Sequence, residues 1–140
     1  MKVDLLDFDY THLFALESSK EQFFKNREEW FKGSENGYSK TLVVDGRVIG
    51  CGGVSKFWDG VGEAWLLVSD KLPEYKWLSV KVMRIMFDRA MIDFNRIQAA
   101  VLASDPVAIR FIEFMGFENE GLMRRYGFQG ADFYRYARVK

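Results

Sequence analysis

Cysteine is nearly missing from this chain. One residue, Cys51, occurs in 140, so no internal disulfide can brace the fold. Histidine is equally scarce, with His12 alone. One thiol and one imidazole cannot make a metal site of soft or imidazole ligands. They leave a Cys51–His12 pair as the only thiol–imidazole nucleophile arrangement. Cys51 lies between Gly50 and Gly52 in a strand pattern, which reads as a small packed residue. His12 reads as a surface or helix-start residue. Proline is limited to Pro73 and Pro106, so there is no proline-rich linker. Excess charge is absent: 20 Lys and Arg balance 20 Asp and Glu. That removes the electrostatic footprint of a general nucleic-acid binder, and the short Arg124-Arg125 pair does not restore it. No apolar run nears the roughly 18 residues of a membrane span. The N-terminus carries Asp4 where a signal peptide needs a basic and then an apolar stretch. With the lone thiol, this leads us to expect a cytoplasmic protein.

What is abundant is aromatic side chain: 13 Phe, 6 Tyr and 4 Trp, 16% of the residues. Apolar content of 49% excludes a disordered chain, and the length suits one domain over 1–140. Lys2 to Phe8 reads as a first strand. Ser18-Ser19-Lys20-Glu21 has the form of a capping box. Phe23, Phe24, Trp30 and Phe31 repeat at a spacing of seven on one helical face, and Gly33 is placed to end that helix. Thr41–Val44, Asp45-Gly46 and Arg47–Ile49 form a hairpin signal, the second strand reaching Val54. A turn at Asp59–Gly62 precedes a strand over Glu63–Val68. Val80, Met83, Met86, Phe87, Ala90, Met91 and Phe94 recur at intervals of three and four, which predicts a long helix. Ile97–Leu102 reads as a buried strand. Asp105-Pro106 starts a helix that ends at Gly116. Phe117–Tyr126 and Phe133–Val139 are strands around a turn at Gln129-Gly130. The order predicts a mixed α/β (α+β) domain, its largely antiparallel sheet flanked by helices.

The segment from Asp105 through Ala108, Arg110, Ile112 and Glu113 to Gly116-Phe117 resembles the GNAT superfamily of acyl-CoA-dependent N-acetyltransferases. In that family a strand leads into a helix of form Asn-x-x-Ala-x-x-x-Tyr-x-x-x-Gly-Phe. The stretch Arg47–Val54 resembles its second hairpin and Glu63–Val68 its fourth strand. The likeness runs from about residue 40 to the end. The ending, Arg124 to Arg138, more narrowly resembles GNAT-like proteins encoded by tailed bacteriophages.

The resemblance implies acetyl-CoA in a cleft between the fourth and fifth strands and direct attack of an acceptor amine on the thioester. It implies that the backbone of Leu66, Leu67 and Val68 meets the pantetheine arm, and that Asp105, Ala108 and Phe111 line the cofactor from the helix at 106. The family's phosphate loop, Gln/Arg-x-x-Gly-x-Gly/Ala, falls on Lys76-Trp77-Leu78-Ser79-Val80-Lys81. Lys76 takes the Gln/Arg place, and Ser79 and Lys81 replace the two small residues. Ser79 can act as a helix cap, and Lys76 and Lys81 can supply charge to phosphates, while Trp77 is bulky for a tight loop. Ile112 stands where the family often has a tyrosine that protonates the leaving thiolate, which leaves Tyr126 or Tyr134 as substitute acid. Glu63 is the first candidate base by position, acting through water, and Asp70 the second.

Three functions follow: an N-acetyltransferase using acetyl-CoA on an unspecified amine; a catalytically degenerate GNAT-fold module that binds a host or virion protein; and a small-molecule binder without either activity. Homodimer pairing through the C-terminal strands is compatible with each. Phe23, Phe24, Trp30, Phe31, Phe87, Phe94, Phe111 and Phe117 are expected in the core. Trp58, Trp77, Tyr75 and Phe128 are left over, and exposed aromatics of this kind are favoured in protein interfaces.

Overall fold

A turn of two residues sets the first hairpin. Asp45 and Gly46 both adopt positive φ, 49° and 79°, the geometry that matches the twist of the strands either side. It joins β2 (Lys40–Val44) to β3 (Arg47–Trp58). β1 (Val3–Asp7) pairs antiparallel with β2, from Val3↔Val44 to Asp7↔Lys40. The computed structural model describes residues 1–18 and 27–140. The capping box at 18–21 and the aromatic pair Phe23-Phe24 therefore lie, wholly or in part, outside the described residues.

The remaining elements are α1 (Glu28–Lys32), β4 (Val61–Val68), α2 (Lys76–Asp93), β5 (Arg96–Leu102), α3 (Pro106–Phe114), β6 (Glu118–Met123) and β7 (Phe133–Val139). Short 3₁₀ turns occupy Tyr10–Ala15, Leu72–Tyr75 and Phe128–Gly130. Among the described residues seven strands form one sheet, ordered β1-β2-β3-β4-β5-β7-β6. The predicted α+β class and the order of elements are both observed. β3 runs four residues past its expected end, and β4 begins two residues early because only Asp59 and Gly60 (φ 85°) turn the chain.

The chain divides into two compact units, one of residues 1–55 and 64–86, the other of 56–63 and 87–140. In the first, Phe8, Leu13, Leu16, Phe31 and Cys51 form one buried cluster, with Tyr10, Val48, Trp65 and Leu67 against it. Leu42, Val44 and Ile49 form a second, packed by Leu72, Tyr75, Leu78 and Val82. A bulge separates these memberships: Leu42 faces Gly50 while Val43 faces Val48. Ile49 is thus the extra residue, and it joins the second cluster although Val48 and Cys51 join the first. Gly53 permits a close approach, since a Cβ there would stand 2.4 Å from Ser39 Cα and from the Tyr38 carbonyl.

In the second unit β5 alternates buried and half-buried residues, with Ile97, Ala99 and Val101 inward. Its parallel ladder with β4 runs Val61↔Arg96, Gly62↔Ile97, Glu63↔Gln98, and β7 pairs antiparallel along all of β5. α3 starts as its sequence predicts: the Asp105 carboxylate accepts from the Ala108 amide at 3.0 Å, with Pro106 at its first turn. Gly116, at φ 91°, releases the chain toward β6. Phe87 and Phe117 meet edge to face at 5.2 Å, and Phe94 is buried.

Two aromatic expectations change. Trp30 is 42% exposed rather than core, because its neighbour Phe31 takes the inward position on α1. Tyr75, left over in the sequence, packs on the Leu42–Ile49 cluster. Trp58, Trp77 and Phe128 are exposed, by 65%, 77% and 49%.

Candidate functional site

The second unit gathers two of the three candidate catalytic residues around an arginine that sequence reading missed. Glu63 closes the short parallel ladder on β4. Arg135, on β7, pairs with Ala100 of β5 on one side and Gly121 of β6 on the other. Its Nη1 donates to both Glu63 oxygens, at 2.9 and 3.0 Å, across 72 residues of sequence. The two side chains are only 19% and 14% exposed, so this pair is shielded well beyond an ordinary surface ion pair. The same guanidinium lies 5.9 Å from the ring centre of Tyr126. Tyr126 is 54% exposed and also meets Phe133 edge to face at 5.7 Å. Arg135 thus holds a carboxylate and contacts a phenol. Its one sequence signal is a charged residue set between Tyr134 and Tyr136 in a strand whose other charged residue is Arg138.

Nearby charges are committed to partners. Arg96 forks onto Glu120 at 3.0 and 2.6 Å, which lowers the Glu120 carboxyl below its ordinary range. Tyr136 is buried and donates to Glu113 at 2.9 Å; burial and that carboxylate raise its phenol. Tyr134 is half-buried and touches the Tyr136 ring edge-on at 6.4 Å. Ile112 is core, 5% exposed. Ala108 and Phe111 are half-buried on α3, and Asp105 is occupied as the cap of that helix.

The first unit carries the remaining candidates. Leu66, 41% exposed, and Leu67 line a cavity of about 150 Å³ with Arg27, Trp30, Phe31 and Trp65. Val68 is half-buried beside Gly50, where an added Cβ would touch its Cγ1 at 3.7 Å. Asp70 is exposed just past β4, its amide donating to the Glu17 carbonyl. Lys76, Ser79, Val80 and Lys81 all sit on the opening of α2. Ser79 is not a cap: the 3₁₀ turn at Leu72–Tyr75 runs straight into α2 at Lys76, which already has helical angles. Pro73, which fixes φ near the helical value, sits in that turn, so the helical path begins before the serine. Ser79 is 2% exposed and its Oγ has no partner among the described residues. Trp77 turns outward, with Lys76 Nζ 5.4 Å from its ring centre.

Two lysines mark the opening of α2. Lys76 and Lys81 are exposed and α2 has no acidic residue in its first turn. Glu74 stands in the 3₁₀ turn just before it, and the Ser79 hydroxyl is buried within the helix. The opening thus carries two lysines and one carboxylate, without the close glycine approach of the family loop.

The Cys51–His12 pair resolves differently. His12 Nδ1 accepts from the Asp9 amide at 3.2 Å and lies 2.7 Å from Thr41 Oγ1. The Thr41 hydroxyl lies 3.6 Å from Cys51 Sγ. Thiol and imidazole therefore share a threonine, but burial pushes the thiol up to about 11. His12 serves the capping box of the first 3₁₀ turn, and Cys51 is a packed thiol.

Comparison with known proteins places the fold. No family model matches the chain, and no curated protein matches it. Solved structures do. Ard1 from Thermoplasma volcanium aligns over 99% of this chain and 98% of its own at a TM-score of 0.79 and 13% identity. An N-acetyltransferase from Staphylococcus aureus Mu50 aligns over 99% of both chains, at 0.76 and 14%. A GNAT superfamily phosphinothricin acetyltransferase from Sinorhizobium meliloti, solved in complex with AcCoA, aligns over 99% of this chain and 89% of its own, at 0.73 and 20%. The described residues have the GNAT fold.

Proposed function

We propose that this protein is an acetyl-CoA-dependent N-acetyltransferase acting on an amine. The observation that carries the reading is the Glu63–Arg135–Tyr126 cluster, set at the end of the β4–β5 ladder in a chain of GNAT fold. An ammonium of pKa near 10.4 must lose a proton before its nitrogen can attack. Glu63 accepts that proton through water, and Arg135 keeps its carboxylate oriented. Asp70, the second candidate, is exposed just past β4.

When bound, acetyl-CoA supplies the acetyl group as a thioester open to attack by an amine. The new bond is C–N, the broken bond is C–S, and the departing sulfur takes a proton. Tyr126 is the exposed phenol beside Arg135 and holds that proton at its oxygen; Ile112 is buried and has none to give. Lys76 and Lys81 attract the phosphates, with Ser79 and Val80 on the same helical opening. The backbone of Leu66 to Val68 supports the arm, and Asp105, Ala108 and Phe111 belong to the α3 side of the cofactor.

A second reading, an inert GNAT-fold module that binds a host or virion protein, draws on the exposure of Trp58, Trp77 and Phe128. Calorimetry with acetyl-CoA separates the two. The transferase reading expects saturable binding and release of CoA when amines are added. Absence of heat and of thermal stabilisation at millimolar acetyl-CoA refutes it.

A further inference from the structure

The cavity beside β4 bears on the acceptor. It measures about 150 Å³ and is lined by Arg27, Trp30, Phe31, Trp65, Leu66 and Leu67, all in the first unit. Its three rings stand edge to face. Trp30 and Trp65 are 5.9 Å apart with planes at 82°, Phe31 and Trp65 5.3 Å at 66°, Trp30 and Phe31 4.9 Å at 87°. The indole Nε1 of Trp65 is buried and has no acceptor among the described residues. Buried donors almost always find a partner, so an unpaired one on a residue that lines a cavity stands out. Arg27 is exposed. Its neighbour Glu28 is engaged by Lys32 at 2.7 Å.

We infer that this cavity is the acceptor pocket and that it takes a free α-amino acid with an apolar side chain. The volume matches an apolar cavity that holds a benzene-sized group, and the walls are aromatic and aliphatic. The Trp65 N–H donates to a carboxylate oxygen. Arg27 supplies the charge that a carboxylate prefers. Aromatic walls alone would also attract a cation, but the guanidinium repels one, which sets the selection against polyamines. Leu66 and Leu67 belong to the strand assigned above to the pantetheine arm. As an acceptor assignment, the inference rests on the transferase reading, whereas the binding itself does not.

The test is a titration of the intact protein, without acetyl-CoA, followed by calorimetry and by tryptophan fluorescence. The probes are L-leucine, L-phenylalanine, L-leucinamide and spermidine; the variants are Arg27→Met and Trp65→Phe, with circular dichroism to verify folding. The expected result is saturable binding of both amino acids and none of spermidine. Leucinamide and the Arg27→Met variant should each lose about tenfold in affinity, and Trp65→Phe, which keeps a ring but no donor, a few-fold. The inference is overturned if neither amino acid saturates, if leucinamide binds as tightly as leucine, or if spermidine binds more tightly. Acetyl-CoA is titrated separately. Acetyl-CoA binding without amino-acid binding sinks the pocket and leaves the transferase reading standing. Amino-acid binding without acetyl-CoA binding does the reverse.

Discussion

Replacing Arg135 by Met should destabilise the protein by about 3 kcal/mol. The substitution leaves the Glu63 carboxylate, whose side chain is only 14% exposed, without the donor that meets both its oxygens. Removing one partner of a fully buried pair costs about 3–5 kcal/mol, and the residual exposure here places the loss at the lower end. For a chain of this size that corresponds to a fall in Tm of about 10 °C. Glu63→Gln keeps an oxygen that can accept from Nη1 and should cost only about 1 kcal/mol. The double variant should then fall short of additivity by about 2 kcal/mol. Urea unfolding of the wild type, both singles and the double at pH 7 measures all four corners. Glu63→Gln should also lose most of its turnover while staying folded, since it removes the proposed base and spares the pair's geometry. A destabilisation below about 0.5 kcal/mol for Arg135→Met, or strict additivity in the double, would refute the view that this pair organises the site.

Three further outcomes are expected. The Cys51 thiol is raised from 9.0 to about 11, so the folded state holds its proton where the unfolded state has lost it. Stability should therefore decline as pH rises from 9 to 11, and thiol reagents at pH 8 should label Cys51 only on unfolding; rapid labelling of the native protein contradicts this. Gly53→Ala should cost about 3 kcal/mol, because its Cβ would meet the Ser39 and Tyr38 backbone at 2.4 Å, whereas Gly37→Ala, with nothing within 4 Å, should shift stability by less than about 1 kcal/mol; comparable chemical-denaturation midpoints for the two would dispose of the contrast. The double variant Lys76→Gln/Lys81→Gln should weaken acetyl-CoA about tenfold and flatten the salt dependence of binding, and an unchanged affinity places the phosphates elsewhere.

Local chemistry by itself determined much of the architecture. Asp45-Gly46 admits positive φ at both turn positions and so dictates a hairpin. Asp105-Pro106 supplies an acceptor for a free amide and a ready-made φ, and Gly116 accepts the left-handed release of α3. Such signals lie within a few residues of what they control, and they made the order of strands and helices legible, whereas Glu63 and Tyr126 became candidates only through the family resemblance. The tertiary structure decided what no short window contains. The bulge at Ile49 switches which cluster a residue joins, and the helical path beginning at Pro73 puts Ser79 inside α2 instead of at its cap. Trp30 and Phe31 are equally apolar, and only packing selects Phe31 for the interior. Above all, Arg135 reaches Glu63 across 72 residues, and the Trp65 wall is brought to the Arg27–Phe31 segment. An ion pair and a cavity depend on distance in space, which only the completed sheet supplies.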